Sequence, residues 1–354
     1  MLSRTFRRFY FASLIAILGF ALPGQLAAEL VWNPDTGWRI EGGVLSGLMG
    51  SEGRNALEIM NKARRDEDRG SLRAALKGYK KVIKKYGTSI YTPEALYRSA
   101  KIYLKRKQYS KAFESYHGIL SRYPNTPRFN EIIGEQYRIA SALVDGARSY
   151  FWGVIPGLPD RPKGIVQFEI ILIEAPYSDY APLALMNIAR AHQKLHNTEE
   201  AIDALDRLIN NYSQSLLTAD AYLKLAQTHA SLVDGAYYDQ ASTQEAITYF
   251  QDFMILYPGD PNVASAETGL DHMRTILAQS KIKMADFYFY KRDNYTAARV
   301  FYNEAITVYP DSEVAGIAKQ RLVEVEAEAA SHQPSADASN DDNQPKKKKR
   351  FFFF

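Results

Sequence analysis

The chain has 354 residues, of which 46% are apolar, 12% are aromatic and none is cysteine. This length supports one large domain or two ordinary ones, and the lack of cysteine excludes disulfide scaffolds, thiolate metal sites, cysteine nucleophiles and lipids attached through a thiol. The formal net charge of +4 is concentrated at the two ends. Because the segment between them is nearly neutral, the composition disfavours a nucleic-acid-binding domain.

Residues 1–28 have the order of an export signal. Arg4, Arg7 and Arg8 precede an apolar run from 12 to 22, and small residues follow Pro23 as far as Ala28. The run is about half of the ~20 residues that a membrane-spanning helix needs. This favours a cleavable signal peptide over an N-terminal anchor and predicts an exported, periplasmic protein.

Residues 29–55 are predicted to form an N-terminal hairpin or cap segment. A turn sequence from Pro34 to Gly37 separates two arms that carry Trp32 and Trp38, a pattern typical of a β-hairpin. The two tryptophans either cap the first repeat, as is usual in solenoids, or form a docking element.

Residues 56–330 contain a repeated frame, in which a small residue is followed by an aromatic or aliphatic residue at +4 and by a helix-ending landmark at +11. The three positions share one helix face, and in four copies a proline directly after the landmark stops the helix. The six copies begin at Ala75, Ala112, Gly164, Ala201, Ala246 and Ala298. A second small residue twelve positions earlier, at Ala63, Ala100 and Ala189, predicts closely packed antiparallel helix pairs.

These observations predict an all-α fold, a tetratricopeptide-like solenoid of helical hairpins with about five to six repeats. Its spacings of 37 to 52 residues compare with ~34 for a tetratricopeptide repeat, and the longer units carry insertions. Residues 154–162 contain three prolines and are predicted to be a loop. Residues 234–240 separate the helices of the fifth unit. Both insertions either contact partners or pack on their own repeat.

The segment 281–312 has the most specific pattern, with Met284-Ala285-Asp286-Phe287-Tyr288 before the Lys291-to-Ala298 turn and Tyr309-Pro310-Asp311-Ser312 after it. With the units before it, this segment resembles the C-terminal half of the BamD family, also called YfiO, of outer-membrane-protein assembly factors. Residues 56–325 fit the layout of that family. The resemblance implies a non-enzymatic scaffold in the machinery that assembles β-barrel proteins in the outer membrane. It also implies that C-terminal repeats bind the periplasmic domains of a BamA-like barrel and that N-terminal repeats receive unfolded outer-membrane proteins.

The chain departs from this family because family members typically carry a lipid on an N-terminal cysteine, and this sequence has none. We therefore expect a protein that is not lipidated and lies peripherally on the inner face of the outer membrane.

Carried over by position, the partner-binding candidates are Lys291, Arg292 and Tyr295, between the two helices of the last unit. A cationic tip suits a carboxylate on a partner, although a solvated turn would have the same composition. On the N-terminal side, Tyr91, Tyr97 and Tyr103 either line a groove for an extended substrate peptide or belong to the repeat core.

Residues 331–354 are predicted to be a disordered tail on composition. A basic run next to phenylalanines is suited to an anionic membrane surface, where each charge contributes on the order of 1 kcal/mol; the alternative is a tail with no partner. The membrane candidates are Lys346, Lys347, Lys348, Lys349, Arg350, Phe351, Phe352, Phe353 and Phe354.

No enzyme motif is evident. His192 and His196 have the i, i+4 spacing of metal ligands on a helix, but Gln193 and Lys194 replace the acid of a zinc hydrolase motif. We predict no cofactor, no metal and no enzymatic activity. The alternative functions are a periplasmic adaptor of another envelope system, in division or cell-wall coordination, and a carbohydrate enzyme that uses scattered carboxylates.

Overall fold

The computed structural model describes residues 29–41, 51–236 and 240–332. Within these ranges the chain is helical apart from two short β-hairpins, and it confirms the predicted all-α, tetratricopeptide-like class. Internal contacts divide the chain after Asn197 into two compact units, called unit 1 and unit 2.

In unit 1 the described elements form two hairpins and a series of helices. They are β1 (Glu29–Asn33), β2 (Gly37–Glu41), α1 (Ser51–Asp68), α2 (Leu72–Lys85), α3 (Thr92–Lys105), α4 (Tyr109–Leu120), α5 (Phe129–Val144), β3 (Arg148–Phe151), β4 (Ile155–Pro159), α6 (Arg161–Glu174) and α7 (Tyr180–Lys194). In unit 2 they are α8 (Thr198–Asn211), α9 (Thr218–Ser231), α10 (Gln240–Leu256), α11 (Val263–Arg292), α12 (Tyr295–Val308) and α13 (Glu313–Ser331).

The repeated frame marks the buried face of the second helix of each pair. All six residues at position 0 and all six at +4 are buried, and each helix ends at its landmark or within three residues before it. The small residues let neighbouring helices approach closely. A Cβ added to Gly78 on α2 would lie 2.7 Å from the Cβ of Ala63 on α1. The predicted helical hairpins are confirmed at these contacts.

The N-terminal hairpin is present and packs on α1. Trp32 pairs with Trp38 across the two antiparallel strands. The backbone N–H of Trp38 donates to Oδ1 of Asn61 at 2.8 Å, and the Trp38 side chain is only 3% exposed. The guanidinium of Arg64 lies 5.2 Å from the centre of the Trp32 ring. This packing favours capping over the docking alternative.

The predicted loop over 154–162 is wrong. Its first part is strand β4, which pairs with β3, and its last residues begin α6, capped by Asp160, whose side chain accepts from the N–H of Lys163. Prolines are compatible with both elements, because a two-stranded hairpin has free edges and a helix tolerates proline in its first turn. The turn from Trp152 (φ 50°) to Gly153 (φ 74°) is left-handed at both residues, as tight hairpins require.

In unit 2 the long helix α11 takes part in two successive cores. Its first half contributes Ala266, Leu270 and Met273 to a cluster with α9 and α10. Its second half packs through residues such as Ile282 and Ala285 against α12 and α13. One rigid element therefore carries the turn at its C-terminus.

Several predictions fall outside the described residues. These are the export signal at 1–28, residues 237–239 of the second insertion and the basic, phenylalanine-rich end of the tail. The predicted domain boundaries, with a repeat domain over 56–330, remain predictions. For comparison, the first helix, α1, begins at Ser51 and the last described helix, α13, ends at Ser331. In the part of the chain that the structure describes, no helix is both long and apolar enough to span a membrane.

Candidate protein-binding site

The turn between α11 and α12 is short and well capped. Helix α11 ends at Arg292, and Asp293 adopts a left-handed conformation with φ 51°, as residues after helix ends often do. The N–H of Asn294 donates to the carbonyl of Tyr288 at 3.0 Å, and its side chain accepts from the N–H of Ala297 at 3.0 Å. The chain therefore reverses between the two helices with its terminal backbone groups paired.

Two of the predicted docking residues project from this turn. Lys291 and Arg292 are exposed, and neither forms an ion pair with any residue in the described ranges. The guanidinium of Arg292 lies 5.4 Å from the centre of the Phe287 ring, which is itself about half exposed. The last turn of α11 thus exposes two cations, and one of them, Arg292, packs on a partly exposed aromatic ring.

The third predicted residue, Tyr295, lies on the other side of the turn, in a groove. Its half-buried ring is 6.0 Å from the Phe289 ring and 5.7 Å from the His332 ring, centre to centre. The groove has a volume of about 560 Å³. It is lined by Phe289, Tyr290, Asp293, Tyr295, Glu328 and His332.

The α13 side of this groove was missed in the sequence analysis. A second depression, of about 450 Å³, extends along the same helix past Glu324. Glu324, Glu328 and His332 are spaced by four and so share one helix face. That spacing was a usable signal, but it becomes meaningful only once α13 is known to pack beside the end of α11.

Carboxylates surround the tyrosines of the groove. Burial raises the pKa of Tyr295, and the charges of Asp293 and Glu328 raise it further. Burial also raises the pKa of Tyr290, whose hydroxyl donates to Oε2 of Glu324 at 3.5 Å. The end of α11 therefore exposes two cations, and the groove next to it is lined by carboxylates and aromatic rings. This end of α11, with the turn that follows it, is called the tip.

Three side chains connect the three helices that form the site, α11, α12 and α13. The Tyr302 hydroxyl on α12 donates to Oδ1 of Asp286 on α11 at 2.5 Å, and Arg321 on α13 forms an ion pair with the same carboxylate. Burial and then the hydrogen bond to Asp286 raise the pKa of Tyr302. Arg321 also lies 6.0 Å from the Tyr290 ring, so this interaction is continuous with the groove.

The groove predicted on the N-terminal side is not formed by its candidate residues. Tyr91, Tyr97 and Tyr103 are at most 8% exposed. Tyr97 donates to Glu131 and packs edge-on against Tyr116, and Lys80 lies 5.6 Å from the Tyr103 ring. These rings belong to the repeat core, the alternative that the sequence left open, because neighbouring helices cover them.

The predicted helical histidine pair is also wrong. Helix α7 ends at Lys194, and His196 lies beyond it with φ 60°. The described residues contain no cluster of three or more histidine, aspartate or glutamate side chains that could hold a metal ion.

Comparison with known proteins connects this site to one family. The model of the YfiO family, described as an outer membrane lipoprotein, matches residues 161–340, half of the chain, and a tetratricopeptide-repeat model matches residues 94–126. The chain is 24% identical over 157 residues to the outer membrane protein assembly factor BamD of Xylella fastidiosa, covering 42% of this chain and 53% of that protein. It is 26% identical over 162 residues to BamD of Rickettsia prowazekii, covering 46% and 64%. The chain therefore spans about half to two thirds of the length of these relatives.

Solved structures with similar folds are themselves tetratricopeptide-repeat proteins. One from Parabacteroides merdae is 16% identical, with a TM-score of 0.31 and coverage of 77% of this chain and all of that one. Another, from Bacteroides fragilis, is 13% identical, with a TM-score of 0.35 and coverage of 77% and 98%. The family match covers half of the chain, including the turn and groove at the end of α11, and the chain thus belongs to the YfiO family.

Proposed function

We propose that this protein is a non-enzymatic scaffold subunit of the machinery that assembles β-barrel proteins in the outer membrane. The observation that carries the proposal is the coincidence of two features in unit 2. The YfiO match covers the segment in which the exposed Lys291 and Arg292 end α11 and the groove beside Tyr295 begins at α12. The relatives are named as assembly factors, and exposed cations beside an aromatic groove support a role in binding another protein.

The composition of the tip supports a protein partner. Aromatic residues and arginine are enriched at the centres of protein interfaces, where they provide large contact areas and strong polar contacts. Arg292 and Tyr295 provide these residue types, and the α11–α12 turn holds them in place. We propose that they bind the periplasmic domains of a BamA-like barrel protein, with Lys291 and Arg292 facing carboxylates on that partner.

Unfolded outer-membrane proteins are the second proposed partner. Because Tyr91, Tyr97 and Tyr103 are buried, this part of the proposal rests on the family alone and has no assigned residues in unit 1. A repeat array that exposes one face of successive helices is suited to extended segments of this kind.

The proposed location is the periplasmic face of the outer membrane. The chain contains no cysteine, so we propose that it is held there without a thiol-linked lipid, by its protein partner and by its tail. Lys346 to Phe354 would provide charge attraction and aromatic insertion at an anionic surface.

The test is capture of envelope proteins by the tagged mature chain. The proposal predicts recovery of a large barrel protein with periplasmic domains. The double variant Lys291→Glu/Arg292→Glu should weaken this capture at least ~10-fold, because like charges would then face each other across the interface.

A matched control is Lys84→Glu/Lys85→Glu, two adjacent exposed lysines in the last turn of another helix, α2, which should leave capture unchanged. Recovery of division or cell-wall factors in place of the barrel protein would instead indicate the adaptor function and contradict the proposal.

A further inference from the structure

The hairpin of β3 and β4 in unit 1 carries an unusual set of exposed apolar side chains. Phe151, Trp152, Val154, Ile155 and Leu158 are 51 to 85% exposed. They lie within eight consecutive residues around one tight turn. Isolated exposed apolar residues are normal on protein surfaces, but a contiguous patch of them indicates an interaction site.

The hairpin is held firmly at its base and tip, so this exposure is built in. The N–H of Tyr150 donates to the carbonyl of Lys107 at 2.9 Å, and the N–H of Val154 closes the turn on the carbonyl of Phe151 at 3.0 Å. The side chain of Arg106 donates to the carbonyl of Trp152. The N–H groups of Tyr150 and Val154 and the carbonyls of Phe151 and Trp152 are therefore paired within the protein, which lowers the cost of moving them into an apolar phase.

The charges around the hairpin have one sign. Between Asp145 and Asp160 the only charged residue is Arg148. Arg106 contacts the turn at Trp152, and Lys107 lies beside β3, with its Nζ 5.3 Å from the centre of the Tyr150 ring. Both flanking acids are engaged elsewhere. Asp145 pairs with Arg190 at 3.1 Å, and Asp160 caps α6.

This arrangement favours a lipid surface over a peptide strand as the partner. Two of the five residues of β4 are proline, which has no N–H to donate to an added strand. The exposed side chains also surround a turn, whereas peptides that do not add as strands bind in grooves. In a bilayer, aromatic rings lie at the interface and cations reach the headgroup phosphates. Phe151 and Trp152 at the turn, with lysine and arginine side chains next to them, fit this arrangement.

We propose that the β3–β4 hairpin is a membrane-insertion element that docks unit 1 on an anionic phospholipid bilayer. Trp152 and the neighbouring apolar side chains enter the interface, and Arg106, Lys107 and Arg148 face the phosphates. The site is separate from the tail and from the groove of unit 2, and it does not depend on the assembly function. It gives a chain without cysteine a second way to contact the membrane.

The experiment uses the full mature chain with phosphatidylethanolamine–phosphatidylglycerol vesicles near physiological salt, where charges close to the membrane surface still attract the phosphates. The lipid concentration is set so that part of the wild-type chain stays unbound, and loss of the hairpin contact then lowers binding even though the tail is present. Co-sedimentation should fall at least ~10-fold in Trp152→Ser/Leu158→Ser, because two apolar side chains no longer leave water. The matched control is Leu216→Ser in unit 2, since Leu216 is 99% exposed but lies outside the hairpin; its binding should equal that of the wild type.

Tryptophan fluorescence provides a readout that does not depend on the double variant folding. Vesicles should shift the emission of the wild type to shorter wavelength, and Trp152→Phe, which retains Trp32 and Trp38, should lose this shift. Equal co-sedimentation of the double variant and wild type, a shift retained in Trp152→Phe, or no vesicle binding at all would overturn the proposal. Capture of the barrel protein should be unchanged in the hairpin variants, so failure here is distinguishable from failure of the proposed function.

Discussion

The first and last helical hairpins of the described chain, α1–α2 and α11–α12, each contain the same type of tyrosine–carboxylate–arginine interaction, called a joint below. In each, a fully buried tyrosine at the +4 position donates its hydroxyl to a carboxylate on the preceding helix. Tyr79 donates to Glu67 at 2.7 Å, and Tyr302 donates to Asp286 at 2.5 Å. An arginine from the next helix, Arg98 or Arg321, pairs with the same acid.

The two hairpins differ in what lies next to the joint. Beside α1, the strands β1 and β2 place the buried ring of Trp38 over the first repeat. Beside α11, the turn exposes Lys291 and Arg292, and the adjacent groove is open. The same type of buried interaction therefore lies beneath a covered surface in one hairpin and beside exposed cations in the other. This predicts that stability and the proposed partner binding depend on different residues.

The largest expected effect tests whether the two joints are equivalent. Tyr79→Ala and Tyr302→Ala each remove a fully buried ring and should cost about 3–5 kcal/mol of unfolding free energy, as large-to-small core substitutions do. Tyr177→Ala is the control, since Tyr177 is 100% exposed, and its cost should stay within about 0.5 kcal/mol. Chemical denaturation followed by circular dichroism measures all three. A small loss for Tyr302→Ala alone would show that the final hairpin is not anchored by its tyrosine.

The next effect is the change in unfolding free energy when a glycine is replaced by alanine, and we expect opposite signs for one glycine in unit 1 and one in unit 2. In unit 1, a Cβ on Gly164 would meet the backbone of α5 at Ala140 O, 2.9 Å away, whereas in unit 2 a Cβ on Gly316 would meet nothing within 4 Å. Gly164→Ala should destabilise by about 1–3 kcal/mol through overpacking. Gly316→Ala should stabilise by about 0.5–1 kcal/mol through helix propensity. Equal effects from the two substitutions would contradict the close packing of α5 and α6.

Alkaline pH should weaken both joints. Burial raises the pKa of Tyr79 and of Tyr302 well above the value of about 10 in the unfolded chain. Above about pH 10 the unfolded state loses these protons while the folded state keeps them, so stability is full below that pH and falls as pH rises. Each tyrosine should contribute about 1.4 kcal/mol per pH unit. In denaturation curves between neutral pH and strong alkali, the double variant Tyr79→Phe/Tyr302→Phe should show a shallower decline, and an unchanged decline would show that these hydroxyls do not govern it.

The smallest effect is expected on removing the hydroxyl of Tyr116, which is compared with removal of the hydroxyl of Tyr79. Tyr79→Phe removes a hydrogen bond to a carboxylate and should cost about 1.5–3 kcal/mol. Tyr116 is equally buried, but its hydroxyl has no hydrogen-bond partner within the described ranges, so Tyr116→Phe should be neutral or slightly stabilising. Comparison of the two denaturation midpoints measures the difference. A cost for Tyr116→Phe as large as for Tyr79→Phe would mean that the hydrogen bond is not what distinguishes the first joint.

The helical array was predictable from sequence because one frame of small and large residues fixes both the buried face and the end of each helix. The proposed docking turn could also be located, since Lys291 and Arg292 lie between two strong helix patterns. The β3–β4 hairpin could not, because prolines that break a helix are compatible with a strand that has a free edge. The sequence also could not predict that Tyr91, Tyr97 and Tyr103 are buried, because their burial depends on which neighbouring helices cover them and not on their own spacing.

The central claim, a scaffold role in barrel assembly that acts through the tip of α11, is tested most directly by depletion in the native host. The measurement is the amount of folded barrel protein in the outer membrane after depletion, with complementation by the wild-type chain or by Lys291→Glu/Arg292→Glu. The account predicts that depletion lowers folded barrel protein, that the wild type restores it and that the double variant, although folded and exported, does not. Unchanged barrel levels on depletion, or full rescue by the double variant, would contradict it.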